Sequence, residues 1–389
     1  MPQAVIVSAV RTPIGTAFKG TLRDTPAEQL AEIVVREAVA RSGFAPESVD
    51  DVLLAESMYG GGDLARYAAV AAGLTHVPGV ALNRHCAGSL AAVSMAAGSV
   101  RAGMDEVLVA GGAMSTSLSP QLTWRVPGTQ ETRTSAMPPT FPHYEGADDD
   151  VTISTGWNTA VEAGLTRAEV DAWALRSHER AIAAIDAGVF EGEIVPVPVA
   201  GPDGPTDFTV DEHPKRGTNA EKLASLKPLH PEIADFSVTA GNAAGVNDAA
   251  AALVVASDRI AHEQGAEALA TVEAWASVGV APHRTGMAAT EVIPVVLKRA
   301  GLEITDIDLW EINEAFASVP LAACRAHGID EDRVNIFGSG CSLGHPVAAT
   351  GARMLTTLVH ELRRRGGGTA VAAMCAGGGQ GSAVVIRVD

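Results

Sequence analysis

Short apolar runs broken by glycine alternate along this chain with longer stretches in which apolar residues recur every three or four positions. Met1 to Val10 is short and almost continuously apolar, the pattern of a strand buried on both faces. From Ala31 to Tyr59 an amphipathic helix pattern leads through Ser48-Val49-Asp50-Asp51 into the strand-like Val52-Leu53-Leu54-Ala55. A Gly/Ser-rich turn and an Ala-rich helix (Cys86 to Arg101) precede a second strand, Glu106 to Gly112. The same order returns from Glu291 to Phe316: a helix, Asp306-Ile307-Asp308, then the strand Leu309-Trp310-Glu311-Ile312. It continues from His345 through a helix ending near Arg365 to the strand Thr369 to Cys375. The copies stand about 260 residues apart, too far for a stacked repeat and suited to two duplicated α/β halves. Strands alternating with helices predict mostly parallel sheets with right-handed crossovers.

Between the halves the periodicity fades. Ser115 to Val151 carries Pro120, Pro127, Pro138, Pro139 and Pro142 with Gly128 and Gly146, which predicts a long covering loop. A helix start follows, with Thr166 as cap and Glu169 three residues on. The expected division is therefore 1–115 for the first part of the N-terminal half, 116–240 for the loop domain and the return to that half, and 241–389 for the C-terminal half.

Composition narrows the class. The chain has 389 residues, is 47% hydrophobic and only 4% aromatic, and contains 40 glycines, a makeup that suits helices packed closely on strands. Its net charge of −18 argues against a broad nucleic-acid interface. No apolar run is long enough to span a bilayer, and the N-terminus lacks the pattern of a signal peptide. Four cysteines without C-x-x-C pairing suit neither a disulfide framework nor structural zinc. A reduced, cytoplasmic enzyme is expected. Against the acidic background, His213-Pro214-Lys215-Arg216-Gly217 and Glu221-Lys222 to Lys227-Pro228 form a basic patch, which reads either as a site for a small polyanion or as a solvated loop.

Three segments carry candidate chemistry: Asn83-Arg84-His85-Cys86-Ala87-Gly88-Ser89, Leu343-Gly344-His345-Pro346 and Cys375-Ala376-Gly377-Gly378-Gly379. Cys86 sits between a strand and a helix N-terminus, where backbone N–H groups are expected to lower a thiol's pKa and stabilise an oxyanion; the alternative is a structural cysteine. His345, in a turn among Gly338, Gly340 and Gly344, is placed to exchange a proton with a thiol. Cys375 ends an apolar strand, and the Gly377 N–H after it is a donor for a developing enolate. Asn313, opening Asn313-Glu314-Ala315-Phe316, reads as an amide that orients water or as a helix cap. Cys324 and Cys341 read as core.

Taken in order, these motifs resemble the thiolases over essentially the whole chain, together with Arg11-Thr12-Pro13-Ile14-Gly15, Thr239-Ala240-Gly241-Asn242 and Val246-Asn247-Asp248-Ala249. The resemblance implies an α/β fold of duplicated α-β-α-β-α layered halves with an inserted loop domain. It implies a ping-pong acyl-CoA C-acyltransferase forming or cleaving a C–C bond in 3-ketoacyl-CoA. Cys86 becomes the acylated nucleophile, His345 its activator, Asn313 the holder of a water in one oxyanion site, and Cys375 the acid-base at the α-carbon. The N–H groups of Cys86 and Gly377 form a second oxyanion hole. No metal or permanently bound cofactor is implied; coenzyme A and acyl-CoA are substrates, with contacts assigned to Lys215, Arg216, Lys222 and Ala244. Small-molecule partners and a homodimer or homotetramer are expected. The chain departs from the family pattern at Ala87-Gly88-Ser89, at Thr152 to Asn158, at Ala244 and at Thr285 to Ala289, so the walls around the substrate differ. A ketoacyl synthase is disfavoured by Cys375, as is a cysteine hydrolase; a non-catalytic acyl-CoA-binding or partner protein is the remaining alternative.

Overall fold

The computed structural model describes residues 2–135, 138–142, 148, 150–201 and 204–389. Met1 and Gly146, counted above in the first strand and the covering loop, lie outside these residues. The predicted first strand is β1 (Ala4–Arg11), buried at every position; the two-residue β2 (Gly15–Thr16) follows. Helix α1 (Ala27–Ser42) buries Leu30, Val34 and Ala38 with Ala31, Val35 and Val39, one face at three- and four-residue spacing. It stops at Gly43, whose φ of 78° disfavours any side chain. Next come β3 (Asp51–Ala55), α2 (Leu64–Ala71), β4 (Gly79–Leu82), α3 (Gly88–Ala102) and β5 (Val107–Ser115).

The segment predicted as a covering loop contains an exposed hairpin, β6 (Leu122–Arg125) with β7 (Thr132–Ser135). Threonines at facing positions hold it, Thr123 and Thr134 joining hydroxyls at 3.1 Å. Beyond it lie α4 (Asn158–Glu162) and α5 (Arg167–Asp186), the latter opened by the predicted capping box of Thr166 and Glu169. A second hairpin, β8 (Val197–Gly201) and β9 (Gly204–Phe208), and α6 (Ala220–Ser225) complete the insertion. Then β10 (Asn247–Ser257) enters the sheet between β1 and β5, and α7 (Asp258–Gln264) follows. The segment expected to begin the second half at 241 thus first supplies a strand to the first half.

The second run comprises β11 (Ala270–Gly279), α8 (Ala288–Ala300), β12 (Leu309–Ile312), α9 (Ser318–His327), α10 (Thr350–Arg365), β13 (Gly368–Ala376) and β14 (Gln380–Val388). The main sheet runs β12-β13-β14-β11-β1-β10-β5-β3-β4, with β2 beside β10. Its two sides mirror each other across the junction where Val5 and Ile6 of β1 meet Thr271 and Ala270 of β11. Even the edges correspond: β4 lies parallel to β3, and an isolated parallel bridge joins Val334 to Trp310 of β12. The expectation of mostly parallel pairing fails. Among the described strand pairs only β3–β4, β3–β5 and β12–β13 are parallel, isolated bridges aside. In each half one strand enters against its neighbour's direction, β10 beside β5 after the long insertion and β14 beside β13 after a three-glycine turn, and both pairs are antiparallel.

Layering follows from which apolar faces meet. Helices α3 and α10 share one core with both halves of the sheet, through Leu90, Val93, Val100, Leu355, Leu358 and Leu362. Helices α1 and α2 cover the outer face of the first half, and α8 and α9 that of the second. The result is the expected α-β-α-β-α stack. The inner helices touch at Gly351, where a Cβ would come within 2.7 Å of both the backbone nitrogen and Cγ of Leu90. Beside that contact Ala352 N–H donates to Ser89 Oγ at 2.9 Å.

Candidate active site

The inner helices begin at the same end of the sheet, and each is preceded by a candidate group. Cys86 lies between β4 and α3, His345 just before α10, Asn313 directly after β12, and Cys375 within the last turn of β13. The turn into Cys86 is strained: His85 adopts φ 46°, a left-handed conformation uncommon outside glycine. Neighbours hold it there. His85 N–H donates to Asn83 Oδ1 at 2.8 Å, and Ser57 Oγ donates to the His85 carbonyl at 2.8 Å.

Cys86 is half-buried, and the N–H groups of Gly377 and Cys86 itself point at its sulfur. These two donors are the pair assigned above to an oxyanion hole. The lowered thiol pKa expected from the helix N-terminus is not found. Burial pushes the Cys86 thiol up to about 11, outweighing the two N–H groups that favour the thiolate. The resting Cys86 side chain is therefore a thiol, and a base would be needed for it to act as a nucleophile.

His345 has the hydrogen bonding a base would need. Its Nδ1 lies 2.7 Å from Thr350 Oγ1, while Thr350 Oγ1 donates its only proton to the Pro346 carbonyl at 2.9 Å. Nδ1 must then carry the hydrogen, which leaves Nε2 with a free lone pair. Nε2 is buried and has no hydrogen-bond partner among the described residues. Burial, reinforced by the Arg353 cation, lowers the His345 pKa to about 3, so the ring is neutral at physiological pH. The backbone is fixed as well: His345 N–H donates to Asn247 Oδ1 at 3.0 Å, and Asn247 Nδ2 donates to the Gly15 carbonyl at 2.9 Å. Gly344, at φ 106°, makes the turn.

Asn313 lies beside the imidazole, its Nδ2 3.5 Å from His345 Nδ1, and its Oδ1 is buried without a partner among the described residues. No helix begins at Asn313, so the capping alternative drops out. Behind it, buried Glu314 accepts from Trp173 Nε1 (2.9 Å), Asn335 Nδ2 (2.8 Å), Ser177 Oγ (2.6 Å) and Cys341 N–H (3.1 Å). Four donors converging on one carboxylate make a rigid footing for the turn that carries Asn313.

Cys375 is buried, and its thiol is raised well above the ordinary value by burial and by the nearby Cys86 sulfur. That electrostatic coupling places the two sulfurs in one site. Past Cys375 the chain turns through Gly378 and Gly379, each at φ 78°. Cys324 and Cys341 are buried in the outer core of the second half, as expected.

Of the basic patch, only His213 is seen to reach this cluster, its ring packing on Gly245, whose carbonyl accepts from His345 N–H at 3.3 Å. Arg216 pairs with Asp186 at 2.5 Å, and Lys222 Nζ donates to the Gly217 carbonyl at 2.6 Å. Lys215 N–H donates to His178 Nδ1 at 3.2 Å, and its amine is lowered by burial and by Lys19. The neighbouring His178 and His213 are each lowered to about 4, chiefly by burial. Ala244 does lie near the site, its N–H donating to the Ala315 carbonyl at 3.0 Å. Among the described residues no group of three or more His, Cys, Asp or Glu is arranged to hold a metal ion. None of their helices is long and apolar enough to cross a membrane.

Sequence reasoning missed Thr350, Glu314, Asn247 and His85. Thr350 follows His345 by five residues across a turn, a spacing with no regular meaning; Glu314 stood beside Asn313 in the quoted motif, and its burial was the missing information.

Comparison with known proteins gives consistent matches. Family models described as the thiolase N-terminal domain and the thiolase C-terminal domain match residues 4–259 and 266–388. The acetyl-CoA acetyltransferase of Pseudomonas aeruginosa is 39% identical, with all of both chains covered. The beta-ketothiolase BktB of Cupriavidus necator is 38% identical over 98% of each. Among solved structures, the Bacillus anthracis acetyl-CoA acetyltransferase superposes with a TM-score of 0.91 at 38% identity, covering 100% of this chain and 99% of that one. Human mitochondrial 3-ketoacyl-CoA thiolase gives 0.89 at 33% identity, with the same coverage.

Proposed function

The chain belongs to the thiolase family, and from that premise we propose how its own residues exchange acyl groups between carbon and coenzyme A. It is a thiolase-type acyltransferase, and its substrates are acyl-CoA thioesters. In the thiolytic direction His345 Nε2 takes the Cys86 thiol proton as the sulfur attacks the 3-keto carbonyl carbon. The C2–C3 bond breaks, and the enolate of acetyl-CoA is protonated at C2 by the Cys375 thiol. Coenzyme A then attacks the acyl-enzyme and loses its thiol proton to the Cys375 thiolate. The Cys86 sulfur leaves and regains its proton from His345. The N–H groups of Cys86 and Gly377 stabilise one oxyanion, and His345 with a water on Asn313 the other.

One observation carries this reading: a neutral histidine with a free, buried Nε2 in the same site as two thiols too weakly acidic to ionise unaided. Each proton transfer has a donor and an acceptor within the protein. Lys215, Arg216, Lys222 and Ala244 remain proposed contacts for coenzyme A; Arg216 and Lys222 would have to leave local partners to make them.

The three-part division is proposed with one change, the second half beginning after α7. A dimer or tetramer in the cytoplasm completes the proposal. Its support is the sheet edge at β4, where Val80 is 45% exposed and no further strand pairs among the described residues. Sedimentation of the purified chain tests the assembly. The chemistry is tested by intact-protein mass after brief incubation with acetyl-CoA and with acetoacetyl-CoA. An acetyl adduct absent from Cys86→Ala is expected; a folded protein that takes up no acyl group from any donor would favour a binding protein.

A further inference from the structure

A cavity of about 420 Å³ opens beside the proposed nucleophile. Two of its walls belong to the site itself: Gly377, whose N–H points at the Cys86 sulfur, and His85, the residue before Cys86. A group attached to Cys86 therefore has this cavity next to it. The opposite wall is made by described residues of the covering segment and of the turn before α4, and its polar side chains include Arg133, Thr140, Ser154 and Thr155. Pockets for plain hydrocarbon are lined mostly by aliphatic and aromatic residues. Here too most of the lining surface is apolar, from Pro138, Pro139, Phe141 and Val151 among others, so the few polar side chains are the groups that can distinguish one ligand from another.

Two of these polar groups are available to a ligand. The His85 ring packs on Gly377, with ring carbon Cγ 3.5 Å from where a Cβ would stand. Its nitrogens make no hydrogen bond to any described residue, whereas its backbone is fully engaged. Arg133 has its guanidinium over the Trp124 ring, 5.8 Å from the centroid, and pairs with no described carboxylate. Asp148, the one acid among the described residues lining the cavity, accepts from Asp150 N–H at 2.8 Å. A His85 held at φ 46° costs backbone strain; the strain fixes which way the ring faces.

We propose that this cavity selects acyl chains carrying an oxygen substituent remote from the thioester, hydrogen-bonded by His85 and met by Arg133, over plain alkyl chains of the same length. The proposal rests on the acyl-enzyme chemistry above and specifies its substrate class. At ~30 Å³ for each water-sized group, the volume holds roughly a dozen such groups, enough for a six-carbon chain with a polar end.

The test compares kcat/KM for thiolysis of three six-carbon substrates: 3-oxohexanoyl-CoA, its 6-hydroxy derivative, and 3-oxoadipyl-CoA with a terminal carboxylate. The wild type should favour one or both oxygenated chains over the alkyl chain by roughly tenfold or more. The ratio should collapse by a similar factor in His85→Leu. The hydroxyl and carboxylate arms separate a neutral hydrogen-bonding group from an anion. Arg133→Gln should lower the carboxylate's advantage alone. Because each variant is read as a ratio within one preparation, partial misfolding does not imitate the result, and His85→Asn, which tolerates the left-handed turn, serves if the leucine variant fails to fold. Equal or better turnover of 3-oxohexanoyl-CoA by the wild type overturns the proposal, as does a ratio unmoved by both substitutions. Cys86 adducts are scored in parallel. Acetylation by acetyl-CoA with no preference among the six-carbon chains defeats only this proposal; no adduct from any donor defeats the acyl-enzyme reading with it.

Discussion

The same strand pair is connected in two very different ways in the two halves. In the first half β5 and β10 are neighbours, yet the chain between them runs through residues 116–246, two hairpins and three helices. In the second half the equivalent pair, β13 and β14, is joined by Gly377, Gly378 and Gly379. One copy of the duplicated unit thus carries the cover, and the other leaves its strand end bare. The proposed catalytic groups divide along the same line: the first half contributes the half-buried Cys86, while His345, Asn313 and Cys375 are all buried in the second. The exchangeable acyl group belongs on the yielding side, and proton transfer needs the side that holds its geometry.

Replacing the nucleophile tests that division most severely. Cys86→Ala should remove the acyl adduct and lower thiolysis by ~10⁴-fold or more, since loss of a nucleophile leaves only binding and the oxyanion donors. A variant that still forms the adduct would move the nucleophile elsewhere. Cys375→Ala should differ in kind. Acetylation of Cys86 by acetyl-CoA should persist, while condensation and exchange of the acetyl α-protons with solvent deuterium fall by about 10²- to 10⁴-fold; unchanged exchange would remove Cys375 from the α-carbon.

Thr350→Val probes the proton inventory of the second half. Without the hydroxyl, Nδ1 keeps only the 3.5 Å contact to Asn313 Nδ2, a donor that favours the other tautomer, and kcat should fall about tenfold or more with little change in KM. Thr350→Ser should recover most of the loss. If valine is harmless, the tautomer is set by something other than Oγ1.

A pH series gives a smaller, graded effect. His345 at about 3 and His178 and His213 at about 4 all lie below the unfolded value of 6.5. Below pH 6.5 the unfolded chain binds protons that the native state refuses, so stability present above 6.5 is lost progressively toward pH 3–4. The urea midpoint should already decline between pH 6.5 and 5, before most carboxylates titrate. A flat midpoint there would contradict the burial of these rings. Least affected should be Arg216→Ala, with less than about a threefold change in KM for coenzyme A, because the guanidinium is exposed and tied to Asp186. A large rise in KM would make Arg216 a principal contact for coenzyme A rather than a peripheral one.

The elements around the site were legible in the sequence because each strand end is marked by a sharp change of residue type: Ile312 to Asn313, and Cys375 into glycines. Strand direction was less so. The runs 247–257 and 380–388 are as continuously apolar as parallel strands, and nothing in their periodicity shows that each runs against its neighbour in the sheet. The hairpin at 122–135 was missed because an exposed threonine ladder shows no apolar alternation. The acidity of Cys86 was misjudged because helix position is readable in sequence, whereas the depth at which sulfur lies is not. For the basic patch, composition gave the charge but not Asp186, thirty residues away, which engages it.

Gly351 bears on how such an enzyme can be altered by recombination. Its bare Cα lets α10 lie directly on Leu90 of α3, and the Ser89 hydroxyl bonds across to Ala352. Cys86 heads one of these helices and His345 lies just before the other. A chimera that takes its first half from a relative and keeps this second half must therefore import residues 89–90 and 351–352 as a matched set. A mismatch there would reset the spacing of nucleophile and base even with every catalytic side chain intact.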